Sequence, residues 1–284
     1  DTIDIVRRAS GLDPRVELLP DDGDHLGCVS NFSRLAAEAC RRGARYAMFS
    51  DQDDLWFPEK VEHTLRRMVE AEGRTGAEKP VLVHTDLDII DSQGLRVQRS
   101  FMGFQKIHHP VRRALRTLLV QNFVTGCTAM ANRPLLEMAL PIPRQALMHD
   151  WWFALCAASA GSVEYVRQPT MSYRRHGDNT VTVRGFWGTL NPYRTDWRQL
   201  WNEGISNHKR AIFQAEALLV RLTRTASAGE VSESLVRGFV ELHDKRSGGA
   251  RRILRAVRLA LLSQSLPRTA VLYLRLLWWA DLTE

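Results

Sequence analysis

Tyr46-Ala47-Met48-Phe49-Ser50-Asp51-Gln52-Asp53-Asp54-Leu55-Trp56-Phe57-Pro58 is the stretch on which the fold turns. Residues 46–49 form a short apolar run that reads as a buried strand. Pro58 opens a helix where its missing N–H leaves no bond unmade. Open α/β sheets bind ligands at the carboxyl ends of their strands, which is where this acidic segment falls. In extended backbone Asp51 and Asp53 point to one side and Asp54 to the other. Two carboxylates on one side offer hard oxygens to Mg2+ or Mn2+ and leave coordination positions for phosphate oxygens. The competing reading is a loop that caps the next helix, which Asp54 can do alone.

Working outward, the first two-thirds of the chain alternates strands and helices. Residues 32–40 place Phe32, Leu35, Ala36, Ala39 and Cys40 on one helical face. The helix opened by Pro58 is expected to bury Val61, Leu65, Met68 and Val69. Residues 81–83 read as a second buried strand and Asp91-Ser92-Gln93-Gly94 as a turn. Pro110 opens a helix with Val111, Leu115, Leu118 and Leu119 facing in, and Cys127 to Ala131 reads as a strand. A helix from His149 to Ala160 ends at Gly161, and residues 163–166 and 170–174 are extended. This is an α/β pattern with a mainly parallel sheet. From Trp197 onward the segments 203–224, 231–244, 250–262 and 268–280 all read as helices, which sets a boundary between 1–195 and 196–284.

Composition narrows the class. The chain has 284 residues, 25% charged and 44% hydrophobic, which fits a folded globular protein. No apolar run approaches the ~18 residues of a membrane span, and the sequence shows no secretory signal. Cys28, Cys40, Cys127 and Cys156 form no CxxC pair, so they read as reduced thiols of a cytoplasmic protein. The net charge of +7 is uneven: residues 1–60 carry −4, and residues 251–284 carry +4. A basic tail suits an anionic partner. The acidic front half argues against nucleic acid, and no basic stripe with interleaved aromatics is present.

Further motifs carry chemistry. In Met148-His149-Asp150-Trp151-Trp152, Asp150 falls in the first turn of a helix, whose dipole favours the ionised carboxylate. It fits a general base and a helix cap equally. Two adjacent tryptophans cannot share one helix face, which leaves one to stack on a sugar. In Tyr173-Arg174-Arg175-His176-Gly177-Asp178-Asn179, the arginines suit a diphosphate and His176 a metal, although a lone histidine is more often structural. In Gln121-Asn122-Phe123-Val124-Thr125-Gly126-Cys127, Gly126 either permits close approach to a ligand or marks a strand-entry turn. His84, Asp86 and Asp88 line the same cleft or belong to a surface turn.

Taken in order, these segments resemble the inverting glycosyltransferases of the GT-A fold, glycosyltransferase family 2, and its rhamnosyltransferase-like branch of bacterial polysaccharide synthesis. The matching pieces are Asn31-Phe32, Phe49 to Trp56 with Pro58 and Lys60, His84-Thr85-Asp86, Asn122 to Cys127, Pro141-Ile142-Pro143, His149 to Trp152, and Tyr173-Arg174 with His176 and Asn179. The resemblance spans about residues 1–185. It implies a nucleotide-sugar donor, dTDP- or UDP-linked, bound at Asp51, Asp53, Gly126 and Arg174. It implies Mg2+ or Mn2+ on Asp51 and Asp53, with His176 as a further ligand. It implies that Asp150 deprotonates the acceptor hydroxyl, with His149, Trp151 and Trp152 holding a saccharide or lipid-linked acceptor. Asp1-Thr2 is similar to the end of the family's second N-terminal segment, so the resemblance implies that the first two strands are absent. A non-catalytic carbohydrate-binding or scaffold remnant of the same fold is the alternative. A nucleotidyltransferase of similar topology would need a Gly-rich loop, and none is seen. The helical region 196–284 is the expected extension. Its arginines beside Ile253, Val257, Ala260, Leu261, Leu272 and Trp278 suit peripheral contact with the inner face of a membrane or packing on the core.

Overall fold

A computed structural model describes residues 2–20, 26–175, 196–225, 229–244 and 247–278. Helix α1 (Thr2–Leu12) contributes no buried residue. Helix α2 (Gly27–Arg41) buries Phe32 and Ala36, while Leu35 stays exposed. Strand β1 (Tyr46–Met48) runs into the acidic loop, and β2 (Leu55–Trp56) leaves it. Helix α3 (Lys60–Thr75) follows. Its inward stripe is Lys60, Thr64, Met68 and Ala71, so Val61 and Val69 face out, contrary to the sequence expectation. Positions 60, 64, 68 and 71 recur at helical spacing, so the inward stripe includes the polar Lys60 and Thr64.

Strand β3 (Val81–Ile90) is buried along its whole length, far beyond residues 81–83. Its polar side chains find partners inside the fold: Asp86 accepts from Ser100 Oγ at 2.5 Å, and His84 meets His109 at 3.1 Å. Asp91 Oδ1 accepts from Gln93 N and Leu95 N, both at 2.9 Å, and so turns the chain into β4 (Arg96–Gln98). Two short helices follow, α4 (Phe101–Gln105) and α5 (Ala114–Leu118). Val111 is exposed because α5 starts only at Ala114. Residues Gly126–Thr128 make a 3-10 turn ahead of β5 (Met130–Asn132), so the expected strand is shorter at its start. Helices α6 (Arg133–Ala139) and α7 (His149–Ala160) lead to β6 (Ser162–Arg174), one strand where two were expected.

The sheet order is β1-β5-β3-β6-β2, with β4 beside β3. Only β3 and β6 are parallel; the β1–β5, β3–β5, β2–β6 and β3–β4 pairs are antiparallel. The sheet is therefore mixed, which corrects the expectation of a mainly parallel one. The helices set the order of elements, but β5 and β2 enter the sheet through short turns instead of helical crossovers.

One face of the sheet packs Val81, Val83 and Met130 against Met68 and Ala71 of α3. A larger cluster joins Leu82 and Val163 to Trp152, Phe153 and Cys156 of α7. The same cluster takes in side chains from α8 (Trp197–Thr225), α9 (Glu230–Glu241), α10 (Gly249–Arg258) and α11 (Leu266–Leu277). Leu218, Val236, Phe239, Ala256 and Leu276 are each at most 1% exposed within it. The C-terminal helices are thus packed on the α/β core. On α10 and the residues after it, Arg252, Ala256 and Leu261 face in, while Val257 faces out. No helix among the described residues is long and apolar enough to cross a membrane.

Candidate functional site

The acidic loop is held at both ends. β1 pairs with β5 through Met48 and Met130, and β2 pairs with β6 through Leu55 and Ser172. Phe57 N also donates to Thr170 O at 2.9 Å. Between these anchors Gln52 and Asp53 form a turn. The alternation argument therefore fails here, because it holds only for extended backbone. Asp54 does not point away: ligand atoms of Asp51, Asp54 and Cys127 lie within 4.8 Å of one another, and Asp53 is not in that group.

Asp54 Oδ1 accepts from Arg174 N at 3.2 Å, while its Oδ2 is buried with no hydrogen-bond partner. Burial pushes the Asp54 carboxyl up to about 6, opposed by the Arg174 N–H and the Cys127 thiol and reinforced by Asp51 and Asp53. Burial likewise raises Asp51, with Asp53 and Asp150 adding to it and His149 opposing. Burial holds the Cys127 thiol well above its usual range, so it stays protonated. A charge stands behind the loop: Lys60 is fully buried, with Nζ 3.3 Å from Thr170 Oγ1 and 4.8 Å above the Trp56 ring. Burial brings its ammonium down to about 8, against the fields of Cys127 and Asp54. Two carboxylates with an orphaned buried oxygen fit a hard divalent cation, and the protonated thiol adds no hard ligand.

Asp150 lies beside this loop in the first turn of α7. Oδ2 accepts from Gly126 N at 2.9 Å, and Oδ1 accepts from Asn122 Nδ2 at 3.2 Å and Trp151 N at 2.5 Å. Burial pushes the carboxyl up to about 6 even though these three hydrogen bonds favour the charged form. With one donor on Oδ2, that oxygen keeps a lone pair for a proton. Asn122 is itself fixed by a two-way bond to Val124, through Nδ2 at 2.9 Å and Oδ1 at 3.0 Å. Gly126 has a steric reason: a Cβ there would sit 2.4 Å from His149 Nε2.

Three expected ligand contacts fall differently. His149 is buried and stacked on Phe32, with centroids 4.1 Å apart, so its ring belongs to the core and not to an acceptor surface. Its Nε2 is buried without a partner, and burial lowers its imidazole to about 4 against the pull of Asp51. Trp152 is wholly buried and donates Nε1–H to Ala139 O at 2.8 Å, which removes it from acceptor binding. Trp151 is half-buried and donates to Leu118 O at 2.6 Å. Both indoles turn inward because α7 is enclosed on nearly all sides; even Ala154 and Ala157 are fully buried. Arg174 acts as a clamp: Nε donates to Asp53 O at 3.1 Å, and Nη1 lies 3.4 Å from both Asp91 O and Ser92 O. His176 and Asn179 lie outside the described residues.

His84, Asp86 and Asp88 do not join the acidic group. Asp86 is bound by Ser100 Oγ, Leu87 N and Met102 N, and Asp88 stands 3.8 Å from Arg96. Sequence reasoning missed Cys127 and Asp54 as members of the site. The signal for Asp54 was its place at the far end of a four-residue turn.

No family model matches the chain. Over 176 residues it is 24% identical to the dTDP-rhamnosyl transferase RfbG of Shigella flexneri, across 58% of this chain and 55% of that protein. The chain spans about half the length of the curated relative it matches. The likeness is a distant one, and it is to a glycosyltransferase.

Proposed function

We propose that the chain carries the catalytic part of an inverting glycosyltransferase of the GT-A type, moving a sugar from a dTDP- or UDP-linked donor to a saccharide or lipid-linked acceptor in surface polysaccharide synthesis. The observation that carries the reading is Asp150, a buried carboxylate fixed by three donors and lifted to about 6 beside an acidic pair. A base whose pKa lies near the working pH takes a proton efficiently. Asp150 Oδ2 accepts the acceptor hydroxyl's proton as that oxygen attacks the anomeric carbon, and the nucleoside diphosphate leaves from the opposite face. Asp51 and Asp54 would hold Mg2+ or Mn2+, which supplies positive charge against the developing diphosphate. Arg174 keeps the loop shaped for that role by tying the carbonyls of Asp53, Asp91 and Ser92.

Manganese binding followed by electron paramagnetic resonance tests the cation assignment. Asp51→Asn and Asp54→Asn are expected to weaken binding at least ~10-fold, as loss of a charged ligand should. Asp53→Asn should change it far less. Undiminished binding in Asp54→Asn, or loss confined to Asp53→Asn, would return the site to the Asp51–Asp53 pair.

Peripheral membrane contact is part of the same reading. Leu254, Val257, Leu274 and Trp278 are each at least 44% exposed, and Arg251 and Arg258 are exposed on the same helical pair. Because α10 and α11 belong to the core, the test uses surface substitutions and not truncation. Leu254→Ser with Trp278→Ser should reduce sedimentation with anionic vesicles several-fold. Equal sedimentation of variant and parent would remove this surface from the account.

A further inference from the structure

A cavity of about 720 Å3 opens beside β6 and α3, lined also by residues 100–111. It shares no residue with Asp51, Asp54, Cys127 or Asp150. β6 is paired with β3 over residues 162–169, and β2 reaches its other side only at Met171 and Ser172.

Its charge is unbalanced. Arg67 and Arg74 converge from α3 on one carboxylate, Glu164, with Nη2 atoms 2.6 and 3.0 Å from the same Oε2. Arg167 is exposed at the rim and makes no ion pair among the described residues. The other acid of the lining, Asp86, is already saturated by Ser100 Oγ, Leu87 N and Met102 N. Within the lining three guanidiniums thus stand against two carboxylates, Glu164 and Asp86, and Arg67 Nη1 also lies 3.3 Å from Glu70 outside it. Arg67 Nε is buried and has no hydrogen-bond partner. The rest of the lining includes the Tyr165 and His109 rings, stacked with centroids 5.6 Å apart and planes within 17°, together with Met102 and Ile107.

We propose that this cavity binds a small organic phosphate. Guanidinium groups match phosphate oxygens in charge and in planar, two-pronged geometry. The phosphate would lie among Arg67, Arg74 and Arg167, and the body of the ligand against Tyr165 and His109. The volume falls in the ~300–1,000 Å3 range of small-molecule sites, which a bare phosphate would leave mostly filled with water. The assignment is independent of the proposed glycosyl transfer, because it uses none of those residues.

Titration calorimetry on the full chain in EDTA, with glucose 1-phosphate, uridine monophosphate and inorganic phosphate, is the test. Chelation keeps the Asp51–Asp54 site from holding phosphate through a metal. At least one organic phosphate should bind with a Kd of ~1 mM or tighter, roughly tenfold tighter than inorganic phosphate. Arg167→Gln, which breaks no ion pair among the described residues, should weaken it about tenfold. Arg74→Gln should do the same, with a melting curve to show that releasing Glu164 leaves the fold intact, and Asp54→Asn should leave affinity unchanged. The proposal is overturned by no organic phosphate binding in the millimolar range, by inorganic phosphate binding as tightly, by affinity undisturbed in Arg167→Gln, or by loss in Asp54→Asn.

Discussion

Asp150→Asn is expected to lower sugar transfer by about 10²–10⁴-fold, the usual cost of losing a general base, while donor affinity stays near the parent value. The amide cannot take the proton. It also fits its socket poorly: Gly126 N–H, Asn122 Nδ2–H and Trp151 N–H all donate to the carboxylate, so the new NH2 must face a donor. That conflict costs about 1–3 kcal/mol, so a thermal melt belongs beside the rate measurement. In the parent chain the proposed transfer rate should fall as pH drops through about 6, where Asp150 protonates. Transfer by Asp150→Asn at the parent rate would leave the residue as a helix cap for α7.

Mild acid should destabilise the whole chain. His84, His149, His208 and His243 are at most 7% exposed, and burial lowers the pKa of each. A lowered folded-state pKa means that the unfolded chain takes up these protons first. Their contribution is complete above 6.5 and drains away as pH falls toward about 4, the folded value of His149 and His243. Asp54 and Asp150 work in the opposite sense: each is raised from 3.8 to about 6, so they protonate first in the folded state and add stability as pH falls between those values. Near pH 5, five imidazoles, with His109 also lowered to about 4, stand against the raised carboxylates Asp51, Asp54 and Asp150 and leave the unfolded state about two protons ahead, a slope on the order of 3 kcal/mol per pH unit. The urea midpoint should therefore drop steeply between pH 7 and pH 5. A midpoint that does not move would contradict the neutral, buried histidines.

Local patterns were legible in the sequence and long-range ones were not. The helix His149–Ala160 ends where its apolar run meets Gly161, as read. Yet Gly161 has φ −157° and ψ −120°, outside the left-handed region. It must be glycine because Pro80 O lies 1.9 Å from where a Cβ would be. No local rule sees that contact. The long β3 was hidden because the polar residues His84, Asp86 and Asp88 interrupt its apolar run, and only the fold brings His109 to His84 and Ser100 to Asp86. Sheet direction was misread for the same reason: β5 and β2 find β3 and β6 through pairings far apart in sequence. At the site, Gly126 N donates to Asp150 at 2.9 Å, a contact between two motifs that neither shows by itself. The turn at Gln52-Asp53 is why alternation along an extended chain did not show that the Asp54 carboxylate lies within 4.8 Å of Asp51 and Cys127. Trp152 and His149, polar-edged rings in a motif that suggested sugar stacking, went instead to the interior, where Ala139 O and Phe32 receive them.

The measurement closest to the central claim is sugar transfer itself, from a panel of dTDP- and UDP-linked sugars to a saccharide acceptor with Mn2+, by the parent chain, Asp54→Asn and Asp150→Asn. The parent is expected to give a product of inverted anomeric configuration with at least one donor, abolished by chelation and by Asp54→Asn, and reduced at least ~100-fold by Asp150→Asn. A parent chain that binds donor yet transfers nothing to any acceptor, or a product formed equally well without Asp54 and Asp150, would contradict that claim.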